Sequence, residues 1–545
     1  MYKLVRILIF LGFIFPSFSV SIAQPILNWK KIYDYNHLQD IPNQIIVDDS
    51  GNIYIIGQTE ISNAPATNFD ALILKYDTYG NLLWYKLKHL ANWGGTDIYL
   101  KAVITQDGNI FVSGEMQVDN TSKMYNVIYS PEGNVLRQDT RSFMTYWPYK
   151  CRNIFAKDSS YYITDVFYDN DKLKIVILHY DNKGYILSVN ESQEFDGGPE
   201  NIAFSDSSIL LTYTKMNSDY QYHSIIKRLS LSGQQEWEAV ISDTLLSIMS
   251  VKSVTDINNN IYSICNRVNI DTSAYYLTKL DSQGNIIWDT NFLFKDGYYG
   301  GAVDLTILSS GIIKIVGTST YWNGANNDWG IFVALYDSIG NLLDYKNHFL
   351  PYIVQNYSSP KYDKYGNVYW SFGVQNSLGY LDILIIKIDQ VGELEEEFVY
   401  SHNNNQTYNE EPIDMFIVDE DNYVISACGS GLAEASNILT LRYGSTYTSI
   451  DYNTNQTVYS YSLGQNFPNP FNPDTHIDYV LSTTQFVSLK VFNSLGELVR
   501  VLVNEIQSGG KHSVKFFSDG LPSGIYYYQI QTDLNLETKK MVLLK

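Results

Sequence analysis

The chain has 545 residues, with 37 basic against 58 acidic side chains and a net charge of −21. That acidity excludes nucleic acid as a partner, because phosphates are met by clustered Lys and Arg. With 45% hydrophobic and only 17% charged residues the chain is no disordered polyelectrolyte, and its 46 Tyr and 24 Phe favour half-buried strands over helices.

At the N-terminus Lys3 and Arg6 precede an apolar run over 7–20, followed by Ser21-Ile22-Ala23. A charged start, a short hydrophobic stretch and a small-x-small end read as a signal peptide over 1–23, the mature chain beginning near Gln24. The run is short for a bilayer span, and no other stretch approaches about 18 apolar residues, so no transmembrane segment is expected. Cys151, Cys265 and Cys428 are odd in number and far apart. They define neither a disulfide framework nor a metal motif and read as buried small hydrophobes.

From residue 24 the phrase D-x-x-G-N followed by apolar residues recurs, as DTYGNLLW at Asp77, DSQGNIIW at Asp281 and DSIGNLLD at Asp337. Weaker copies place the series glycines at 80, 133, 184, 233, 284, 340 and 392. A second turn series with eight members interleaves with the first, beginning at DDSGN around Gly51. Each unit reads as four strands, in the first unit 44–47, 53–58, 71–76 and 82–87. Gly and Asn tolerate positive φ and Asp closes on nearby backbone, which suits both turns. Four-stranded units at this period predict an all-β fold, a β-propeller over 24–445. The eighth unit ends at Gly444 without a fourth strand, while Ile26-Leu27-Asn28-Trp29 at the mature N-terminus resembles the fourth-strand pattern NLLW. Pairing the two closes a ring of eight blades; seven is the alternative, since units three and four lack glycine at the first turn.

The repeats resemble, loosely, the short propeller repeats of bacterial secreted proteins. D-x-x-G-x-x-x-W also resembles the tryptophan-docking repeat of pyrroloquinoline-quinone propellers. Only Trp84, Trp237 and Trp288 keep the tryptophan; Arg137, Ser188, Asp344 and Glu396 replace it. The pattern therefore reads as blade-to-blade packing, and no cofactor is expected.

Motifs for catalysis are missing: no HExxH, GxSxG, phosphate-binding loop or dinucleotide fingerprint. The eight histidines are scattered without metal-ligand spacing. Asp48 with Asp49, Asp169 with Asp171, and Asp419 with Asp421 offer oxygens that suit calcium, but they fall at turns and read as turn chemistry, so no metal is expected. One feature points to ligand binding. The loops joining second to third strands, and fourth to next first strands, share one end of a propeller, and here they are aromatic. Trp93, Trp147, Tyr298, Tyr299, Trp322 and Trp329 are the candidate ligand-binding residues, with Tyr146, Tyr352 and Tyr357 nearby. Flat rings beside Asn, Asp and Gly suit sugars or extended peptides.

A polar linker over 446–461 leads to a different texture at 462–545. Asn466-Phe467-Pro468-Asn469-Pro470-Phe471-Asn472-Pro473 is followed by alternating apolar strands, by Leu495-Gly496, by Gly524-Ile525-Tyr526, and by an ending that includes Lys540 and Lys545. Alternation between Gly, Pro and Asn turns predicts a small immunoglobulin-like β-sandwich. This tail holds seven basic and seven acidic residues, so the acid excess lies in the preceding region.

The tail resembles the type A C-terminal sorting domain of the type IX secretion system of the Bacteroidetes. The blocks carrying the resemblance contain Asn466, Pro468, Asn469, Pro470, Asn472, Pro473, Gly496, Gly524, Tyr526, Lys540 and Lys545. The resemblance implies export through the periplasm, recognition by the outer-membrane translocon, removal of the tail by a sortase-like cysteine protease, and release or attachment at the cell surface. For the propeller the expectation is a binding protein for a glycan, peptide or envelope partner, with no catalytic residues. The alternative is a polysaccharide- or protein-degrading enzyme with unrecognised acids at the channel mouth.

Overall fold

In a computed structural model the chain is described from residue 25 to 544. Outside the description lie 62–68, 90–96, 119–120, 146–152, 158–159, 170–171, 206–207, 243–246, 269–272, 295–297, 323–326, 403–407, 432–435, 445–461, 482–484, 508–509 and 533–535. Among the described residues every regular element is a strand.

Before the linker, eight antiparallel sheets of four main strands follow one another along the chain, and a fifth, two-residue strand joins the seventh. The first sheet comprises Asp40–Val47, Ile53–Glu60, Phe69–Tyr76 and Leu82–Lys88. The next six repeat this meander. The eighth takes Tyr408–Asp419, Asn422–Gly431 and Asn437–Gly444 from the end of the region and Ile26–Tyr33 from its start. Tyr33 lies opposite Ile438 and Ile26 opposite Gly444.

The turn chemistry follows the sequence. Asp77 Oδ1 accepts from the amides of Tyr79 and Asn81 at 2.9 and 2.8 Å, and Asn81 Nδ2 donates to its other oxygen at 2.8 Å. Gly80 takes φ +80°. The same bonds recur at Asp48, Asp281, Asp337 and Asp363. These turns therefore use their own carboxylates. At the third expected acid pair, Asp419 bonds Asn422 and Asp421 bonds Lys387 Nζ at 2.7 Å; Asp171 of the second lies outside the described residues.

Sheets pack face to face through eight apolar cores, each shared by two successive sheets. The first and second meet through Ile46, Tyr54 and Ile73 against Tyr99, Val112 and Val127. The eighth meets the first through Tyr33, Val424 and Ile438 against Ile45, Ile55 and Leu72, which closes the circuit. Middle strands are covered on both sides, so all eight residues of Phe69–Tyr76 and of Asn437–Gly444 are buried. Tryptophan reinforces these joints. Trp84, Trp237 and Trp288 donate from Nε1 to the carbonyls of Pro131, Ser282 and Ser338 in the next sheet, at 2.9, 2.9 and 3.3 Å. Trp29 makes the same bond to Thr78 at 3.0 Å, as a fourth strand does.

The tail forms two sheets around one core. Ser462–Leu463, Asp474–Leu481 and Gly510–Phe517 make one; Leu498–Gln507, Gln485–Asn493, Gly524–Thr532 and Leu536–Leu543 make the other. Ile477, Tyr479 and Phe516 of the first pack on Leu489, Tyr528 and Leu543 of the second. This is a β-sandwich.

Candidate functional site

In seven of the eight sheets the first strand carries a one-residue bulge, after which pairing resumes. The residue at which it resumes is polar every time: Gln44, Lys101, Asn201, Lys252, Asp304, Asn356 and Asp414. Several latch neighbouring sheets together. Gln44 Oε1 accepts from the Ala102 amide at 2.8 Å, Asp414 Oδ2 from Ile45 at 3.0 Å, and Lys252 Nζ pairs with Asp304 at 2.5 Å. Lys361 Nζ reaches Asp414 Oδ1 at 2.7 Å. Nothing in the sequence reading anticipated this row; its signal is one polar residue per repeat just after the bulge.

Four positions earlier on three of these first strands stand acids: Glu410, Asp40 and Asp97, in the eighth, first and second sheets. All three are buried. Burial pushes the Glu410 carboxyl up to about 8, with the charge of Asp382 adding to the effect. Neither of its oxygens has a hydrogen-bond partner among the described residues, and His402 Nδ1 stands 4.0 Å away. Burial likewise pushes Asp40 up to about 7.

At the loop end, between the seventh and eighth sheets, opens a cavity of about 430 Å³. Its lining is polar: Gln355, Gln375, Asn409, Glu411, Ser430 and Ser436 contribute. Asn356 Nδ2 donates to Glu411 Oε1 at 2.6 Å, and Asn409 Oδ1 accepts from the Leu381 amide at 3.0 Å. Cys428 also lines it, but burial raises its thiol to about 12, so it is no nucleophile at neutral pH.

The expected aromatic residues divide. Tyr298 and Tyr299 open the sixth sheet at this end. The Tyr298 ring lies 4.6 Å from Tyr321 and 6.0 Å from Phe349; Tyr299 is 44% and Phe349 46% exposed. Trp329 instead packs against the core between the sixth and seventh sheets, as does Tyr352. Tyr357 stands edge-on to Trp370 at 5.4 Å. Trp322 ends the strand Ile313–Trp322, its side chain lying outside the described residues, as do Trp93, Tyr146 and Trp147 entirely. Tyr321 and Phe349 were not foreseen; both lie near strand ends.

A third group also went unread. Asp70 on the third strand of the first sheet, His89 just past its fourth strand, and Asp97 opening the second sheet bring their donor atoms within 4.8 Å of one another. His89 Nδ1 lies 2.7 Å from Asp70 Oδ1.

In the tail the proline-rich block is pinned to the sandwich. Asn466 is buried; its Nδ2 donates to Thr475 Oγ1 at 3.0 Å and to the Pro468 carbonyl at 3.2 Å. Its amide donates to the Tyr528 hydroxyl at 2.9 Å. Asn469 Oδ1 accepts from the Val542 amide at 2.9 Å, tying the block to the final strand. Pro473 accepts from the Ser518 amide at 2.8 Å, while Pro470 and Asn472 are exposed. Tyr526 donates its hydroxyl to the Pro522 carbonyl at 2.9 Å. Gly496 takes φ +82° in a turn closed by Asn493, Gly524 pairs with Leu543, and Lys540 pairs with Tyr527. Lys545 lies outside the described residues.

Fold and tail together define a secretion-sorted β-propeller protein. Residues 465–544 match the family of the secretion system C-terminal sorting domain. The tail is a type IX secretion system sorting domain of the kind found in Bacteroidetes, and it marks the chain for export and for secretion or surface attachment. No curated protein matches the chain. Similar solved structures include PorZ, described as an essential bacterial surface component of the type-IX secretion system of Porphyromonas gingivalis. It is 10% identical, with 92% of this chain and 86% of that chain covered and a TM-score of 0.29. The WD40 domain of SCAP from fission yeast is 8% identical, with 77% and 99% covered and a TM-score of 0.41. Polysaccharide lyase Uly1 is 8% identical, with 74% and 89% covered and a TM-score of 0.37. Among the described residues no helix is long and apolar enough to cross a membrane.

Proposed function

We propose that this is an exported, eight-bladed propeller that binds a glycan or peptide at its loop end. In this reading residues 1–23 direct the chain to the periplasm and 462–545 are recognised by the translocon. A sortase-like cysteine protease cuts within 446–461, and the propeller over 24–445 reaches the surface or medium. The observation that carries the binding reading is the polar cavity between the seventh and eighth sheets, open at the same end as the exposed rings of Tyr299 and Phe349. Amides and hydroxyls meet ligand hydroxyls or peptide groups, while rings cover apolar faces.

The degradative alternative rests on acids with raised pKa values, since general acids are tuned that way. Here Glu410 and Asp40 are sealed from solvent, so a soluble polymer does not reach them. The test incubates the secreted protein with a panel of polysaccharides and peptides, scoring depletion from solution and product release in the same tubes. Depletion without products supports binding; released products transfer the protein to the enzyme reading. Deleting 462–545 is expected to strand the protein in the periplasm, and continued export would remove the sorting assignment.

A further inference from the structure

We infer that Asp70, His89 and Asp97 bind a divalent transition-metal cation of the zinc or manganese class. The inference stands apart from the ligand reading above, because it rests on a different set of residues and a different test.

The donor set is one imidazole nitrogen and two carboxylate oxygens, all within 4.8 Å of one another. Bonds of about 2.0–2.2 Å place tetrahedral donors roughly 3.3–3.6 Å apart, so the widest pair closes by about an ångström when an ion is held, a movement that the exposed His89 side chain can supply. An imidazole among the donors selects transition metals over calcium, which prefers oxygen throughout.

The two aspartates differ from the many turn aspartates of this chain, which spend their oxygens on amides of their own turns. Asp70 and Asp97 sit in strands, 5% and 1% exposed. One imidazole can offset at most one of the two buried carboxylate charges, whereas a divalent ion neutralises both. Among the described residues no other three His, Cys, Asp or Glu side chains converge in this way. The His89 side chain is 52% exposed, so an ion held there keeps open positions towards solvent at the loop end, where water or a ligand oxygen completes its shell.

The full secreted chain, stripped with chelator and dialysed, is titrated with Co²⁺ by visible absorption and with Zn²⁺ by calorimetry. One saturable equivalent is expected, with a rise in melting temperature on loading. His89→Ala, on an exposed side chain, is expected to fold normally, lose at least tenfold in affinity and lose the cobalt absorption band. Asp97→Asn is expected to lose affinity as well. His37→Ala serves as control, since His37 makes the same 2.7 Å contact with Asp34 without a third donor. No saturable binding by the wild type, or undiminished binding by His89→Ala, overturns the inference.

Discussion

Gly80 and Gly108 share a backbone requirement but differ in what lies beneath them. Both take positive φ, +80° and +74°. A Cβ on Gly80 would meet the Trp29 indole at 2.7 Å and Lys31 at 2.9 Å, whereas a Cβ on Gly108 would meet nothing within 4 Å. Gly108→Ala therefore carries only the left-handed backbone penalty, about 1–2 kcal/mol. Gly80→Ala adds overpacking of about 1–3 kcal/mol. Trp29 lies on the N-terminal strand, so the excess reports on closure of the ring. Trp29→Ala is itself expected to cost about 2–3 kcal/mol, for a partly buried ring and one hydrogen bond. In that background Gly80→Ala should fall to the level of Gly108→Ala. The assay is urea unfolding followed by far-ultraviolet circular dichroism, with the wild type, Gly80→Ala, Trp29→Ala and the double variant forming a double-mutant cycle and Gly108→Ala as the reference. Equal costs for Gly80→Ala and Gly108→Ala, or no coupling to Trp29, would refute the packing argument.

Three further outcomes are expected. Glu410 is pushed up to about 8 in the folded chain, so its contribution is fully present below the usual carboxylate range and is lost as pH rises through about 8; the melting temperature should fall between about pH 5 and pH 8, and Glu410→Gln should lessen that fall, Asp40 and Glu396, each pushed up to about 7, carrying the rest. An undiminished slope in Glu410→Gln would remove Glu410 from the account. Asn466→Ala leaves a buried hydroxyl and carbonyl short of a donor and should destabilise the sandwich by about 1–3 kcal/mol, lowering the exported fraction measured by immunoblot of culture medium. Tyr299→Ser with Phe349→Ser should abolish retention on a bound polysaccharide without changing the melting temperature; unchanged retention removes these rings from the ligand surface.

Much of the fold was legible because single residues carried defined tasks. Asp77, Gly80 and Asn81 announce their turn, since each makes a bond or adopts a torsion that few other residues manage. Ile26–Tyr33 was legible as a closing strand because Trp29 repeats the tryptophan of Trp84. Alternation alone gives the first strand only 44–47 against the observed Asp40–Val47, because Pro42 and the bulge at Asn43 break its pattern. The site was less legible. Aromatic content does not say which way a ring faces: Trp329 turned into a core while Phe349, never singled out, is exposed. Asp70, His89 and Asp97 straddle a sheet boundary, and no spacing rule links a third strand to the next sheet's first.

The strand Asn437–Gly444 is hydrogen-bonded on one side to its predecessor and on the other to the strand that begins the region. It is also the strand from which the linker and sorting domain hang. A pull directed along this strand would load the bonds on both of its flanks in shear, many at once. A free edge strand in the same place would peel away bond by bond. Joining the two ends of the region makes its last strand a mechanical anchor for whatever pulls on the tail.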